Sequence, residues 1–162
     1  YKFAEASVIG RASADTYASV TVNIGTLKSV KVGDAVLYGK YLVGVVDKAY
    51  PDYRVVKTIL DPSFNVSAYE VVTNEISYVT GTAKLAKEGK CKMANLSSST
   101  DISYGSIICT AGISGTMPKG LIIGTVDEIA DETTDISSYA VISPGVKMDD
   151  LSSCFVLTDY NK

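Results

Sequence analysis

Hydrophobic and polar residues alternate along this chain in short runs with a period of two. Successive side chains of a β-strand point to opposite faces of its sheet, so each run predicts a strand. The runs cover residues 19–24, 41–46, 54–60, 66–72, 76–85, 91–96, 121–129 and 139–142. Turn residues such as Asp61-Pro62-Ser63 separate them. Because no run of about a dozen residues keeps a helical period, we expect an all-β protein with little helix.

One strand-turn-strand pattern occurs twice in the sequence. It covers residues 32–47 and, with a longer central loop, residues 104–127, and each second strand carries a glycine, Gly44 or Gly124. A repeated pattern of this kind indicates two similar small β modules. The polar segment at residues 73–75 is the best boundary, which gives a first domain over 1–73 and a second over 74–162. A terminal strand can still cross from one module to the other.

The composition excludes several classes of function. The 15 Lys and Arg residues are scattered and outnumbered by 18 Asp and Glu, which is unsuited to a nucleic-acid backbone. The chain has no histidine, which is the commonest general base and a common zinc ligand. We therefore predict no catalytic residue, no cofactor, no metal site and no nucleic-acid partner.

The cysteines Cys91, Cys109 and Cys154 match no metal-binding spacing, and an odd number allows at most one disulfide. Cys109 and Cys154 lie within apolar runs, where a cysteine usually acts as a small buried hydrophobic residue. We expect structural cysteines, not reactive ones.

The loop around Ser114 resembles the serine-bearing loop of double-barrel serine proteases. A serine nucleophile needs a neighbouring base, and Lys119 does not have the usual spacing from it. A phosphate-binding loop is also excluded, because Lys119 precedes Gly120 and a strand follows. Residues 117–120 instead predict a type I turn, with Pro118 at the second position.

The acidic residues of one short segment could suggest a calcium site. They are Asp127, Glu128, Asp131, Glu132 and Asp135. The segment lacks the ligand spacing and the turn glycine of an EF-hand loop. We therefore expect a solvated hairpin tip.

Several segments, taken in order, share the pattern of one known family. The shorter ones are Val8-Ile9-Gly10-Arg11 and residues 20–25, 30–36, 42–46 and 59–68, the last with Asp61 and Pro62. The most specific is 110–126, where Thr110, Gly112, Gly115, Pro118, Gly120, Gly124 and Val126 keep the family pattern and Ala111, Ser114 and Met117 depart from it. This combination resembles MreC, the rod shape-determining family of bacteria.

The resemblance implies a fold of two small β-barrels in tandem. It also implies a non-catalytic scaffold of the cell-elongation machinery, which makes peptidoglycan outside the cytoplasmic membrane. The expected partners are a second copy of the chain, in a dimer or filament, the elongation-specific penicillin-binding transpeptidase, MreD and, indirectly, MreB. The expected membrane anchor is an N-terminal helix, preceding a coiled coil, and neither is part of this sequence.

Two turns present apolar or aromatic residues and are the candidate partner-binding surface. They are the loop from Ile113 to Met117 and the hairpin tip with Tyr38 and Tyr41. In the alternative interpretation, Ile113 and Met117 fold back and cap a barrel. Two other functions stay open, a glycan-binding β module that uses some of the 11 tyrosines and a degenerate double-barrel serine protease.

Overall fold

The computed structural model describes residues 2–11, 15, 17–23, 29–113 and 117–159. The strands are β1 (Lys2–Arg11), β2 (Val20–Asn23), β3 (Ala35–Tyr38), β4 (Tyr41–Ala49), β5 (Tyr53–Thr58), β6 (Asn65–Glu70), β7 (Ile76–Thr80), β8 (Cys91–Leu96), β9 (Ile107–Thr110), β10 (Ile122–Asp131), β11 (Ser138–Pro144) and β12 (Ser153–Asp159). One helical turn, α1 (Ala83–Ala86), and a 3₁₀ turn (Met148–Asp150) complete the described elements. The prediction of an all-β fold with little helix is confirmed.

The strands pair in two closed rings. The order β4-β3-β12-β1-β2-β5 is closed by pairing of β4 with β5, and we call this ring the first barrel. The order β10-β9-β6-β7-β8-β11 is closed by pairing of β10 with β11, and we call it the second barrel. Closure leaves neither ring with a free sheet edge. The rings meet where β10 runs parallel to β4, with the amide of Ile122 donating to the carbonyl of Lys40 at 3.1 Å.

The repeated sequence pattern has the same backbone geometry in both barrels. The amide of Gly33 donates to the carbonyl of Val46 at 2.9 Å, and the amide of Gly105 donates to the carbonyl of Val126 at 2.8 Å. Both glycines have positive φ angles, 96° and 85°. The segment β3-β4-β5 of the first barrel therefore corresponds to β9-β10-β11 of the second.

The strand order shows that the chain crosses between the barrels twice. The second barrel is continuous in sequence, from β6 to β11, whereas the first takes β1 to β5 and then β12. Because β12 pairs with β1 and β3, it occupies the place that β6 has between β7 and β9. The boundary predicted at residues 73 and 74 falls inside the β6–β7 hairpin. We keep the division into two domains as a proposal and move its boundary to residues 59–64, where the chain leaves the first barrel.

The predicted strand over 76–85 is too long by five residues, and the runs 54–60 and 66–72 each pass the observed strand end by two. The run over 76–85 ends as a strand at Thr80 and continues into α1. The side chain of Thr82 accepts a hydrogen bond from the amide of Leu85 at 3.1 Å and so caps this turn. None of the described helical segments is long and apolar enough to cross a membrane.

The interiors of the two rings join in a single cluster of buried apolar side chains. Leu42 and Val36 are fully buried in the first barrel, and Ile108 and Ile123 in the second. Cys91 and Cys154 lie among them with no exposed area, one on β8 and the other on β12. Side chains of the described residues therefore fill the interiors of the barrels as a packed core.

Candidate functional site

The loop between β9 and β10, residues 111–121, closes on the buried hydroxyl of Thr110. The Oγ1 atom donates to the carbonyl of Pro118 at 2.7 Å and accepts from the amide of Leu121 at 3.0 Å. The backbone of Thr110 also bonds to Leu121 and to Gly120, each at 2.9 Å. The hydroxyl of Thr110 therefore satisfies the Pro118 carbonyl and the Leu121 amide, which is a structural role.

The glycines of the family pattern have backbone roles in the same loop. Gly112 and Gly120 have φ angles of 71° and 95°, where side chains are strained. A Cβ atom on Gly124 would lie 2.1 Å from the carbonyl oxygen of Ser143 on the neighbouring strand. Gly115 and Ser114 lie outside the described residues. Gly112 and Gly120 therefore set the backbone conformation of the loop, and Gly124 allows β10 to pack closely on β11.

Asp61 and Pro62 form the crossing from the first barrel to the second. The Oδ1 atom of Asp61 accepts from the amide of Ser63 at 2.8 Å and from its hydroxyl at 2.7 Å. The carbonyl of Pro62 accepts from the hydroxyl of Thr80 at 3.2 Å, and the amide of Gly81 donates to the carbonyl of Asp61 at 3.3 Å. These contacts attach the crossing segment to β7 of the second barrel.

Ile113 and Met117 occupy different environments. The Ile113 side chain is 64% exposed, whereas that of Met117 is 5% exposed. Met117 lines an open cavity of about 400 Å³ between the barrels, together with Gly33 and Val45 of the first barrel and Phe64 of the crossing segment. Met117 is thus buried at the wall of a cavity that the loop shares with the first barrel, whereas Ile113 faces solvent.

The hairpin tip between β3 and β4 also lies at the seam of the two barrels. Tyr38 is 48% exposed and Tyr41 is half-buried. The ring of Tyr41 packs on Gly145, where a Cβ atom would lie 2.1 Å from its Cδ1. Both tyrosines line a second cavity, of about 240 Å³, with Lys147 and Leu151.

Among the described residues, the fold brings the tip of the hairpin against the end of the long loop. The tip and the end of the long loop meet at the bond between Lys40 and Ile122. Met117 lines one cavity at the seam, and Tyr38 and Tyr41 line another. Of the four candidate residues, Ile113 and Tyr38 present the largest exposed fractions.

The acidic segment lies mainly on β10, so its predicted position at a hairpin tip is wrong for residues 127–131. Asp127 pairs with Lys90 at 2.6 Å, and Glu132 pairs with Lys92 at 2.5 Å. The hydrogen bond from Lys90 to Asp127 raises the pKa of the lysine. The described residues contain no group of His, Cys, Asp and Glu side chains that could hold a metal ion.

The thiols are free and buried, as the apolar surroundings of Cys109 and Cys154 in the sequence predicted. Burial raises the pKa of Cys91 from 9.0 to about 12 and that of Cys154 to about 11. Burial also raises the pKa of Cys109. A nucleophilic cysteine needs a lowered pKa, so these thiols are suited to packing.

Two arginines with structural roles were not recognised from the sequence. The Arg11 guanidinium donates to the carbonyls of Met148 and Leu151, which holds the crossing segment before β12. Arg54 is buried and donates to the carbonyls of Val30 at 3.0 Å and Tyr50 at 2.6 Å. Arg11 belongs to a family segment, but a pattern of residue types does not show which carbonyls an arginine contacts.

Comparison with known proteins gives a consistent result. The family model described as rod shape-determining protein MreC, barrel core, matches residues 8–158. The cell shape-determining protein MreC of Bacillus subtilis is 26% identical over 165 residues, which cover 97% of this chain and 57% of that protein. The chain therefore spans little more than half the length of this relative.

Solved structures share the fold. MreC from Pseudomonas aeruginosa is similar with a TM-score of 0.87 and 18% identity, over 97% of this chain and 99% of that chain. A complex between penicillin-binding protein PBP2 and MreC from Helicobacter pylori has a similar chain, with a TM-score of 0.73 and 16% identity, over 98% of this chain and 99% of that one. With a family model that matches almost the whole double barrel, the chain belongs to the MreC family of rod shape-determining proteins.

Proposed function

We propose that this chain is the extracytoplasmic part of a non-catalytic scaffold of the machinery that makes peptidoglycan during cell elongation. It binds the elongation-specific penicillin-binding transpeptidase and associates with itself. The observation that carries this proposal is the solved complex of PBP2 with an MreC whose fold covers 98% of this chain. An N-terminal helix holds the whole protein at the outer face of the cytoplasmic membrane, where MreD is a neighbour and MreB an indirect partner.

The chemistry of the described residues supports a binding role. The hydroxyl of Thr110, in the most specific segment of the family, is engaged in the loop at both its donor and acceptor sides. The sequence supplies no histidine that could act as a base for a neighbouring nucleophile. Exposed apolar and aromatic side chains in rigid turns are typical of protein contacts.

The partner surface that we propose lies at the seam of the barrels. Ile113 and Tyr38 are its exposed residues, while Tyr41 and Met117 support it from partly or fully buried positions. The test must therefore vary the exposed pair, because a charge at Met117 would be buried and would destabilise the fold.

Binding of the purified chain to the purified transpeptidase, followed by biolayer interferometry, tests this surface. We expect Ile113→Glu and Tyr38→Glu each to weaken binding about tenfold or more, as for central residues of an interface. Ile136→Glu is the matched control, because Ile136 is 91% exposed on the β10–β11 hairpin. If the wild-type chain binds and both variants bind as tightly as the control, the surface is wrong; if the wild-type chain does not bind, the proposed function is wrong.

A further inference from the structure

A second exposed apolar surface lies on the second barrel, at the turn between β6 and β7. We call it the turn face, and it consists of Val71, Val72, Ile76, Tyr104 and Ile107. Their side chains are 39% to 81% exposed, with Val72 and Tyr104 at the upper end. The amide of Val71 donates to the carbonyl of Ile107 at 3.1 Å, and Ile76 pairs with Tyr69, two positions before Val71, so these residues are neighbours in the sheet. Tyr104 precedes Ile107 by three positions. A contiguous apolar surface of this kind on a soluble domain indicates an interaction site.

A buried carboxylate holds the backbone of this turn. Glu70 is 1% exposed, and its Oε2 atom accepts from the amide of Val72 at 2.8 Å and from the amide of Thr73 at 2.5 Å. The amide of Asn74 donates to the carbonyl of Glu70 at 2.9 Å, and Asn74 itself has a φ angle of 61°. Burial of a carboxylate is unfavourable unless hydrogen bonds compensate it. Here those bonds fix a turn whose apolar side chains point to solvent.

A second carboxylate ties the turn to the loop that follows β8. The Oε2 atom of Glu75 accepts from the amide of Ser97 at 3.1 Å, and its Oε1 atom accepts from the hydroxyl of Thr100 at 2.5 Å. The turn is therefore ordered before any partner arrives. Preorganisation of this kind lowers the entropic cost of binding.

The charged residues around the turn face are mainly acidic. Glu70, which is buried, and Glu75 flank the turn, and Asp101 precedes Tyr104 by three residues. Lys119 borders the region, and its Nζ atom lies 5.0 Å from the centre of the Tyr69 ring, which pairs with Ile76. Even with this lysine the region is acidic, so it favours a partner of positive charge.

We propose that the turn face docks an apolar segment of a partner protein that carries Lys or Arg beside its apolar residues. The proposal rests on the proposed scaffold function, which requires more than one binding surface. The turn face meets β9 at its first residue, Ile107, whereas Ile113 follows the other end of this strand. The two surfaces can therefore bind different segments at the same time.

Site-specific photo-crosslinking in the full-length, membrane-anchored protein identifies the partner segment. Benzoylphenylalanine at position 72 or 104 is the probe, and the same residue at position 136 is the control on an unrelated exposed hairpin. We expect adducts at 72 and 104 but not at 136, with a crosslinked peptide that contains apolar residues and Lys or Arg. A neutral or acidic peptide, a second copy of this chain as the only adduct, or no adduct overturns the proposal.

A synthetic peptide of the crosslinked segment, titrated against the purified chain, then tests the surface and the charge. We expect Val72→Glu and Tyr104→Glu to weaken binding tenfold or more, Ile136→Glu to change it less than twofold, and affinity to fall as salt rises. Unchanged affinity in the first two variants, or no dependence on salt, contradicts the proposal. Binding of the transpeptidase is measured on the same variants, with Ile113→Glu as the reference. If the transpeptidase binds the wild-type chain but the turn-face variants bind the peptide normally, the turn face is wrong and the proposed function stands.

The role of Glu70 is tested without changing any apolar residue. We expect Glu70→Ala to accelerate hydrogen exchange at the amides of Val72 and Thr73 and to lower the affinity for the peptide several-fold. Glu70→Gln keeps an acceptor oxygen, so it should show smaller changes in both exchange and affinity. If exchange accelerates in Glu70→Ala and the affinity for the peptide stays the same, binding does not depend on an ordered turn. That result would contradict the proposal that the turn face is preorganised for binding.

Discussion

Gly44 and Gly124 occupy corresponding positions in the two barrels and have the same physical requirement. A Cβ atom would lie 1.9 Å from the carbonyl oxygen of Lys57 at the first glycine and 2.1 Å from that of Ser143 at the second. The contact is with backbone of a neighbouring strand, which cannot rotate away as a side chain can. The repeated glycine therefore allows β4 and β10 to approach β5 and β11 closely.

We expect Gly44→Ala and Gly124→Ala each to lower the free energy of unfolding by about 3 kcal/mol or more, because the barrel must distort to admit the methyl group. Gly39→Ala is the control, since Gly39 has a φ angle of 60° but open space around it. Its expected cost is about 1 kcal/mol, from backbone strain alone. Urea denaturation measures all three, and equal costs at Gly44 and Gly39 would contradict the close approach.

The buried thiols predict a loss of stability at alkaline pH. Burial raises the pKa of Cys91 from 9.0 to about 12 and that of Cys154 to about 11, so the folded protein retains protons that the unfolded chain releases. Their contribution is fully present below pH 9 and decreases as pH rises toward these values, with a slope of up to about 1.4 kcal/mol per pH unit for each thiol. Urea midpoints between pH 8 and 11 measure the decline, and a Cys91→Ala, Cys154→Ala variant should show a shallower one. An equal slope in the variant would contradict the assignment of the decline to these two thiols.

Among the elements, the loop between β9 and β10 shows most clearly how one segment can have two roles. Its base is fixed by Thr110, while Met117 is buried and lines the cavity between the loop and the first barrel. Ile113, only four positions earlier, is exposed. The sequence could not separate these two residues, because both are apolar residues in a turn.

We expect Met117→Ala to cost about 2 kcal/mol of unfolding free energy, because it removes buried apolar contacts and enlarges the cavity at the seam between the barrels. Ile113→Ala should change stability by less than about 0.5 kcal/mol, because its side chain is already in solvent. Thermal and urea denaturation of the two variants give the comparison. A cost at Ile113 as large as that at Met117 would show that the loop packs differently.

In the whole molecule, the two barrels depend on the chain in different ways. The second barrel is built from the continuous segment β6 to β11, whereas the first is completed only when β12 returns to pair with β1 and β3. Without β12, both neighbours present unpaired strand edges, and the ring is open. The first barrel therefore forms after the C-terminal strand is available.

This topology predicts unequal behaviour of fragments. Residues 65–145 should fold alone, with the circular dichroism of β-sheet and a cooperative unfolding transition. Residues 1–64 should remain unfolded until a peptide of residues 146–162 is added, which supplies β12. Independent folding of residues 1–64, or an unfolded 65–145 fragment, would contradict the pairing.

The sequence by itself determined the features that depend on neighbouring residues. The period of two predicted most strands, the repeated glycine pattern predicted two similar modules, and the spacing of Thr110, Gly112, Pro118 and Gly120 identified the family. These signals are local, because side-chain alternation and turn conformation are decided within a few residues. The same locality explains the strand that was predicted too long, since the capping by Thr82 competes with the alternation of residues 76–85.

Only the tertiary structure decided which distant segments meet. The place of β12 between β1 and β3, the burial of Met117 and the exposure of Ile113 depend on contacts between residues far apart in the chain. Glu70 is a further example. An acidic residue in a predicted strand does not indicate that its side chain is buried and accepts hydrogen bonds from the following turn. The physical reason is that burial and strand order are set by the closure of the two rings, and closure joins segments that no local pattern relates.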